Sequence, residues 1–135
     1  MKLSDYLDAY YTHTGNASAV ARQAAFAGIA IIWIFNQNIK GVYFIPKELL
    51  WPTIWLVSGL GLDLLQYILA SAIWGGFHYF HECGFFGKVD REKEIEAPEW
   101  LNWPSIFCFW SKLISISVGY VYVFAYAKNA INFQN

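Results

Sequence analysis

Residues 51–76 read WPTIWLVSGLGLDLLQYILASAIWGG, and Asp63 is the one formally charged side chain in this stretch. About 20 mainly apolar residues in a helix cross the hydrocarbon core of a bilayer, which is roughly 30 Å thick. The stretch is therefore long enough and apolar enough to be a transmembrane helix.

Two further stretches share this pattern, residues 17–37 with Arg22 and residues 103–127 with Lys112 as their one charge. The alternative is a soluble three-helix bundle, in which polar residues return every three or four positions along each helix. Residues 29–35 and 119–125 are apolar on every face instead. We therefore predict one membrane domain with three transmembrane helices, over 17–37, 51–76 and 103–127.

The composition supports a membrane protein. Hydrophobic residues make up 57% of the 135 and charged residues 14%, which is too little polar surface for an ordinary soluble domain. The net charge of −1 offers no basic surface for nucleic acid. The expected environment is a lipid bilayer, and nucleic acid is excluded as a partner.

The N-terminal segment has its own periodicity. Apolar or aromatic residues recur at helical spacing, at Leu3, Tyr6, Leu7, Tyr10 and Tyr11. Residues 1–15 are predicted to form an amphipathic interfacial helix that ends at Gly15, with Asn16 capping the next helix. The predicted fold class is an all-α integral membrane protein, with three transmembrane helices preceded by an N-terminal amphipathic interfacial helix.

Residues 87–99 form the one run of mixed charge and are predicted to be a solvated loop. Three spans place this loop on the same side as the N-terminus. That side carries Lys2, Lys88, Arg91 and Lys93, and the other carries Lys40, Lys47 and Lys128. The positive-inside rule favours the N-terminus and the loop in the cytoplasm, where Cys83 and Cys108 would stay reduced. The expected location is a bacterial-type inner membrane.

The three charges within the spans are the main functional clue. An ionisable group in hydrocarbon costs about 2.5–3.5 kcal/mol on insertion scales, so such groups usually face a partner or a wet cavity. Helix offsets place Arg22 and Lys112 within reach of Asp63, with Gln66 one turn along from it. Three interpretations stay open: the cluster holds the helices together while the cations reach toward the interface, it lines a path for ions or protons, or it binds a lipid headgroup or a polar segment of another protein.

Small residues recur at three- or four-residue spacing on all three spans, which favours close helix packing. They are Ala21, Ala25 and Gly28 on the first span, Ser71 and Gly75 on the second, and Ser111, Ser115 and Gly119 on the third. The pattern does not distinguish contacts within one chain from contacts between chains.

Potential metal ligands gather after the second span, at His78, His81, Glu82 and Cys83. Zinc accepts such a mixed set, but the spacing differs from the His-Glu-x-x-His motif. Hydrolase and phosphate-loop motifs are missing from the sequence. We therefore expect no enzyme activity, no cofactor and no bound metal, with these four residues as weak metal candidates.

The resulting functional prediction is a small, non-enzymatic membrane subunit or effector that self-associates or binds another membrane protein. The alternative is an oligomeric ion- or proton-conducting channel that uses Arg22, Asp63 and Lys112.

Overall fold

The computed structural model describes residues 3–82 and 98–132, most of which lie in three long helices. The helices are α1 (Leu3–Ile34), α2 (Leu50–Glu82) and α3 (Trp103–Asn132). A hairpin of two short strands, β1 (Gln37–Ile39) and β2 (Val42–Phe44), joins α1 to α2. Single 3-10 turns at Lys47–Leu49 and Glu99–Asn102 lead into α2 and α3.

The predicted all-α class is confirmed. The structure contains three helices long and apolar enough to cross a membrane, over Asp8–Ile34, Lys47–Phe80 and Trp100–Ile131. Each includes most or all of a predicted span, although α1 ends at Ile34 rather than at residue 37.

The predicted helix boundary at Gly15 is wrong, because α1 continues through it without a break. The Thr12 and Thr14 hydroxyls donate to the carbonyls of Asp8 and Tyr10, four residues earlier, as they do inside a helix. One glycine costs a helix only about 1 kcal/mol, and the alanine-rich sequence that follows favours helix. The interfacial position of residues 1–15 stays a prediction.

The β-hairpin between α1 and α2 was not predicted from the sequence. Lys40 and Gly41 have positive φ angles of 54° and 83°, which define a two-residue turn of the mirror-image type found in tight hairpins. Asn38 Oδ1 accepts a hydrogen bond from the Gly41 amide at 3.0 Å. The sequence did contain a signal for the hairpin: Gly41, a residue favoured in tight turns, is followed by the strand-favouring residues Val42, Tyr43 and Phe44.

Contacts between the helices define their directions. Leu56 of α2 lies against Gly28 of α1 and Gly119 of α3, and Asp63 of α2 bonds Arg22 of α1 and Lys112 of α3. Residue numbers therefore fall along α2 as they rise along α1 and α3, so α2 is antiparallel to both. The buried core lies between the three helices and includes Ala25, Ile32, Leu49, Leu56, Ile116 and Val123.

Glycine makes this close packing possible. A Cβ at Gly119 would lie 2.9 Å from two carbon atoms of Leu56, and one at Gly28 would lie 2.8 Å from Leu56 Cδ1. Leu56 of α2 therefore fits between glycines of the other two helices. Close backbone approach of this kind is common where helices pack in lipid.

Candidate functional site: an interhelical ion cluster

Asp63 lies at the centre of a cluster that joins all three helices. Its carboxylate is buried, and each of its oxygens pairs with a cation from a different helix. Arg22 Nε of α1 lies 2.7 Å from Oδ2, and Lys112 Nζ of α3 lies 2.5 Å from Oδ1. One carboxylate on α2 thus binds side chains of both neighbouring helices.

Lys112 is the most enclosed member of this ion cluster, with a relative exposure of 1%. Its ammonium donates to Asp63 Oδ1, to Ser18 Oγ at 2.6 Å and to Gln66 Oε1 at 2.7 Å. These three acceptors match the three N–H donors of an ammonium group. Each N–H donor of this buried charge therefore has an acceptor.

Arg22 lies at the edge of the cluster. Its Nη2 donates to the Tyr67 hydroxyl at 3.0 Å, and its guanidinium carbon lies 5.5 Å from the centre of the Tyr67 ring. The side chain is 41% exposed. A guanidinium carries five N–H donors, and the hydrogen bonds to Asp63 and Tyr67 use two of them.

The cluster is complete as a hydrogen-bond network. Ser18 accepts from Lys112 and donates to Asp63 Oδ1 at 3.2 Å, which closes a ring between the three helices. Among the described residues, every buried side-chain nitrogen and oxygen has a partner. Two cations and one anion leave an excess charge of +1. This arrangement is suited to holding the helices in register.

A cleft of about 320 Å³ opens beside the cluster. It lies between the N-terminal half of α1, the C-terminal half of α2 and the start of α3. Its lining mixes polar groups with aromatic and apolar ones: Tyr10, Tyr11, Thr14, Gly15, Ser18, Gln66, Tyr67, Asn102, Ser105, Ile106 and Phe109. Ser18 and Gln66, which both contact Lys112, connect the cluster to the cleft.

The helix contacts on the hairpin side of the cluster are mainly apolar. Leu56, Ile116 and Val123 are buried there together with Ala25 and Ile32. The polar groups within this layer bond to backbone: Ser115 Oγ donates to the Trp55 carbonyl, and Tyr120 donates to the Ala24 carbonyl, both at 2.7 Å. The cleft therefore approaches the cluster from one end of the bundle.

The structure places the predicted packing residues at contacts within the chain. Ala21, Ala25, Gly28, Ser115 and Gly119 are buried between helices, and Ser111 is half-buried. The small faces of α1 and α3 are thus largely used inside one molecule.

The metal candidates do not form a site in the described part of the chain. His78 is exposed on α2, and the helix ends at Glu82 just after His81. Cys83 and residues 87–97 of the predicted loop lie outside the described residues. Within residues 3–82 and 98–132, no three His, Cys, Asp or Glu residues lie close enough together to hold a metal. Cys108 is a buried free thiol.

Sequence reasoning missed Ser18, Tyr67 and Ser105 as members of this region. Spacing offered a signal for two of them, because Ser18 precedes Arg22 by one helical turn and Tyr67 follows Asp63 by one turn. Ser105 bonds Gln66 Nε2 at 3.4 Å, a contact between α3 and α2 that local sequence does not indicate.

Comparisons with known proteins give no relative. No family model matches the chain, and no curated protein or solved structure is significantly similar to it. The fold and the cluster together define a three-helix protein with an ion cluster between long apolar helices.

Proposed function

We propose that this chain is a three-span integral membrane protein that acts as a non-enzymatic subunit or effector, by self-association or by binding another membrane protein. The observation that carries the proposal is the closed cluster of Arg22, Asp63 and Lys112. The cluster links all three helices and leaves its buried polar atoms satisfied. In a low-dielectric bilayer, such a network stabilises one arrangement of helices.

The outer surface supports a membrane location. Large apolar side chains point outward along all three helices, among them Phe26, Ile54, Leu64, Ile68, Phe107, Ile114, Val121 and Phe124. A soluble protein of this size rarely exposes so continuous an apolar surface. Lipid chains are the natural environment for such side chains.

An exposed small-residue face on α2 supports association with another helix. Ser71 and Gly75 lie one turn apart, both are exposed, and a Cβ at Gly75 would meet nothing within 4 Å. The corresponding faces of α1 and α3 pack inside the molecule. Among the described residues, the face of Ser71 and Gly75 is therefore open to close approach by a helix of a second chain.

Ion or proton conduction through a single chain is less well supported. The cleft reaches the cluster from one end, and the apolar layer that includes Leu56, Ile116 and Val123 lies beyond it. A path would have to form between chains or by separating the helices. The proposed orientation places the cleft, the N-terminus and residues 83–97 on the cytoplasmic side of a bacterial-type inner membrane.

The test measures ion flux and oligomeric state on the same proteoliposome preparations of wild type and Asp63→Asn, with Asp8→Asn as the matched control. We expect wild-type complexes without flux, and weaker assembly or stability in Asp63→Asn. Wild-type flux that Asp63→Asn abolishes while assembly stays intact would establish the channel alternative. A strictly monomeric wild type that captures no membrane protein would also overturn the proposal.

A further inference from the structure

The cleft beside the ion cluster is lined by donors whose orientation the cluster determines. Lys112 can only donate, so it holds Gln66 Oε1 as the acceptor and turns the Gln66 amide nitrogen toward Ser105. The 3.4 Å separation between Gln66 Nε2 and Ser105 Oγ is long for a hydrogen bond. The amide can therefore donate to a group bound in the cleft.

Tyr67 is also oriented by a cation of the cluster, in this case Arg22. Its hydroxyl oxygen accepts from Arg22, so its own proton is available for donation. Tyr67 and Gln66 both line the cleft, and each has a cation bound behind it. Two positive charges thus polarise two donors toward the same space.

The charge around the cleft favours an anion. The cluster carries an excess of +1, and the described residues that line the cleft include no acidic side chain. Asn102 and Ser105 bring the N-terminal end of α3 to the same space, and the positive end of the helix dipole adds to the potential there.

We infer that this cleft binds a phosphate group, with the headgroup of an anionic phospholipid as its source. A phosphate group accepts hydrogen bonds from several directions at once. It can therefore accept from donors of Gln66, Tyr67, Asn102 and Ser105 together. The volume lies at the small end of ligand pockets, which span roughly 300–1,000 Å³. Tyr10, Tyr11, Ile106 and Phe109 supply an aromatic and apolar wall for the glycerol and upper acyl chain. The lipid source depends on the proposed membrane location, whereas binding of the phosphate itself does not.

The experiment uses the purified full chain, delipidated in a non-ionic detergent and phosphate-free buffer. The probes are phosphatidylglycerol, phosphatidylcholine and glycerol 3-phosphate, with binding read by native mass spectrometry and by the shift in thermal unfolding temperature. The test variant is Tyr67→Phe with Ser105→Ala, which removes two hydroxyls of the cleft. The control is Tyr122→Phe with Ser117→Ala, which removes two exposed hydroxyls of α3.

We expect phosphatidylglycerol to bind at least five-fold more tightly than phosphatidylcholine. The test variant should lose most of this preference while the control keeps it. Equal stabilisation by glycerol 3-phosphate would support the phosphate site and assign its ligand to a soluble ester. No binding of either anion to wild type, or equal loss in the two double variants, would overturn the inference. Carbonate extraction of membranes tests the membrane location separately.

Discussion

At the residue scale, the cluster depends on small side chains as much as on charges. Ser18 accepts from Lys112 and donates to Asp63, so its hydroxyl bonds to both members of a buried ion pair. Lys112 and Asp63 are already in direct contact at 2.5 Å. The serine therefore adds one hydrogen bond to each charge of this buried pair.

Replacing Ser18 with alanine should lower the free energy of unfolding by about 1–3 kcal/mol, the usual cost of removing one partner from a buried polar group. Lys112 would then keep two acceptors for three donors. Unfolding of the purified protein in detergent micelles measures the change, with Ser58→Ala, at an exposed position of α2, as the control. A loss no larger than that of the control would show that the Ser18 hydroxyl contributes nothing.

Helix arithmetic was enough to bring Arg22, Asp63, Gln66 and Lys112 together, because a helix advances a fixed 1.5 Å per residue and antiparallel spans align predictably. The cleft could not be predicted in this way. It depends on the side-chain directions of Tyr67 and Ser105 and on where α3 begins, which packing between helices determines. Spacing fixes depth along a helix, but rotation about the helix axis depends on tertiary contacts.

At the element scale, Gly119 sets the distance between α3 and α2. Changing it to isoleucine should destabilise the protein by about 1–3 kcal/mol or more, since the new Cβ would lie 2.9 Å from Leu56 and 3.4 Å from the Pro52 carbonyl. Gly61→Ile is the matched control, because a Cβ at Gly61 meets nothing within 4 Å. Thermal unfolding in micelles compares the two. Equal effects would mean that the Gly119 face is not a packing contact.

Two other glycines should respond to alanine with opposite signs. Gly15 lies inside α1, so Gly15→Ala should stabilise the helix by about 0.5–1 kcal/mol. Gly41 has φ of 83°, so Gly41→Ala should destabilise the hairpin by about 1–2 kcal/mol. Hydrogen exchange at amides of α1 and of the hairpin measures both. Loss of protection around residue 15 in Gly15→Ala would favour the helix break that the sequence pattern suggested.

Sequence periodicity predicted the three long helices but failed at two points, at Gly15 inside α1 and just after the C-terminal end of α1. Near Gly15, turn-forming residues indicated a break that the surrounding helix-forming residues override. Near residue 37, the predicted span extended into the first strand of the hairpin, because three-residue strands are too short to give a periodic signal. Long elements are predictable because many residues agree, whereas short ones depend on single turn residues.

At the scale of the whole molecule, the proposed orientation predicts the result of reporter fusions. A reporter after Asn135 should be extracytoplasmic, and one within residues 88–99 should be cytoplasmic, because the lysine and arginine balance places the N-terminal side inside. Paired alkaline phosphatase and fluorescent protein fusions measure both positions in one host. The reverse pattern at both positions would contradict the orientation and would move the cleft to the outer side.

The charges of the ion cluster connect the three helices. Asp63 lies 13 residues from the start of α2, about 20 Å along the helix, so the cluster holds the three helices well away from the hairpin that already tethers α1 to α2. The hairpin joins α1 and α2 at one end, and the ion cluster joins them near the middle. On this account, the cluster determines whether the three helices form one unit.

The most direct test of that account is a double-mutant cycle of Asp63→Leu and Lys112→Leu, measured as the free energy of unfolding in micelles. Asp63→Leu alone should cost about 3–5 kcal/mol, because it leaves Lys112 buried without a counter-charge. Adding Lys112→Leu should recover most of this loss, since Arg22 is partly exposed and keeps its bond to Tyr67. Losses that simply add would contradict the account, because they would show that the two buried charges do not hold α2 and α3 together.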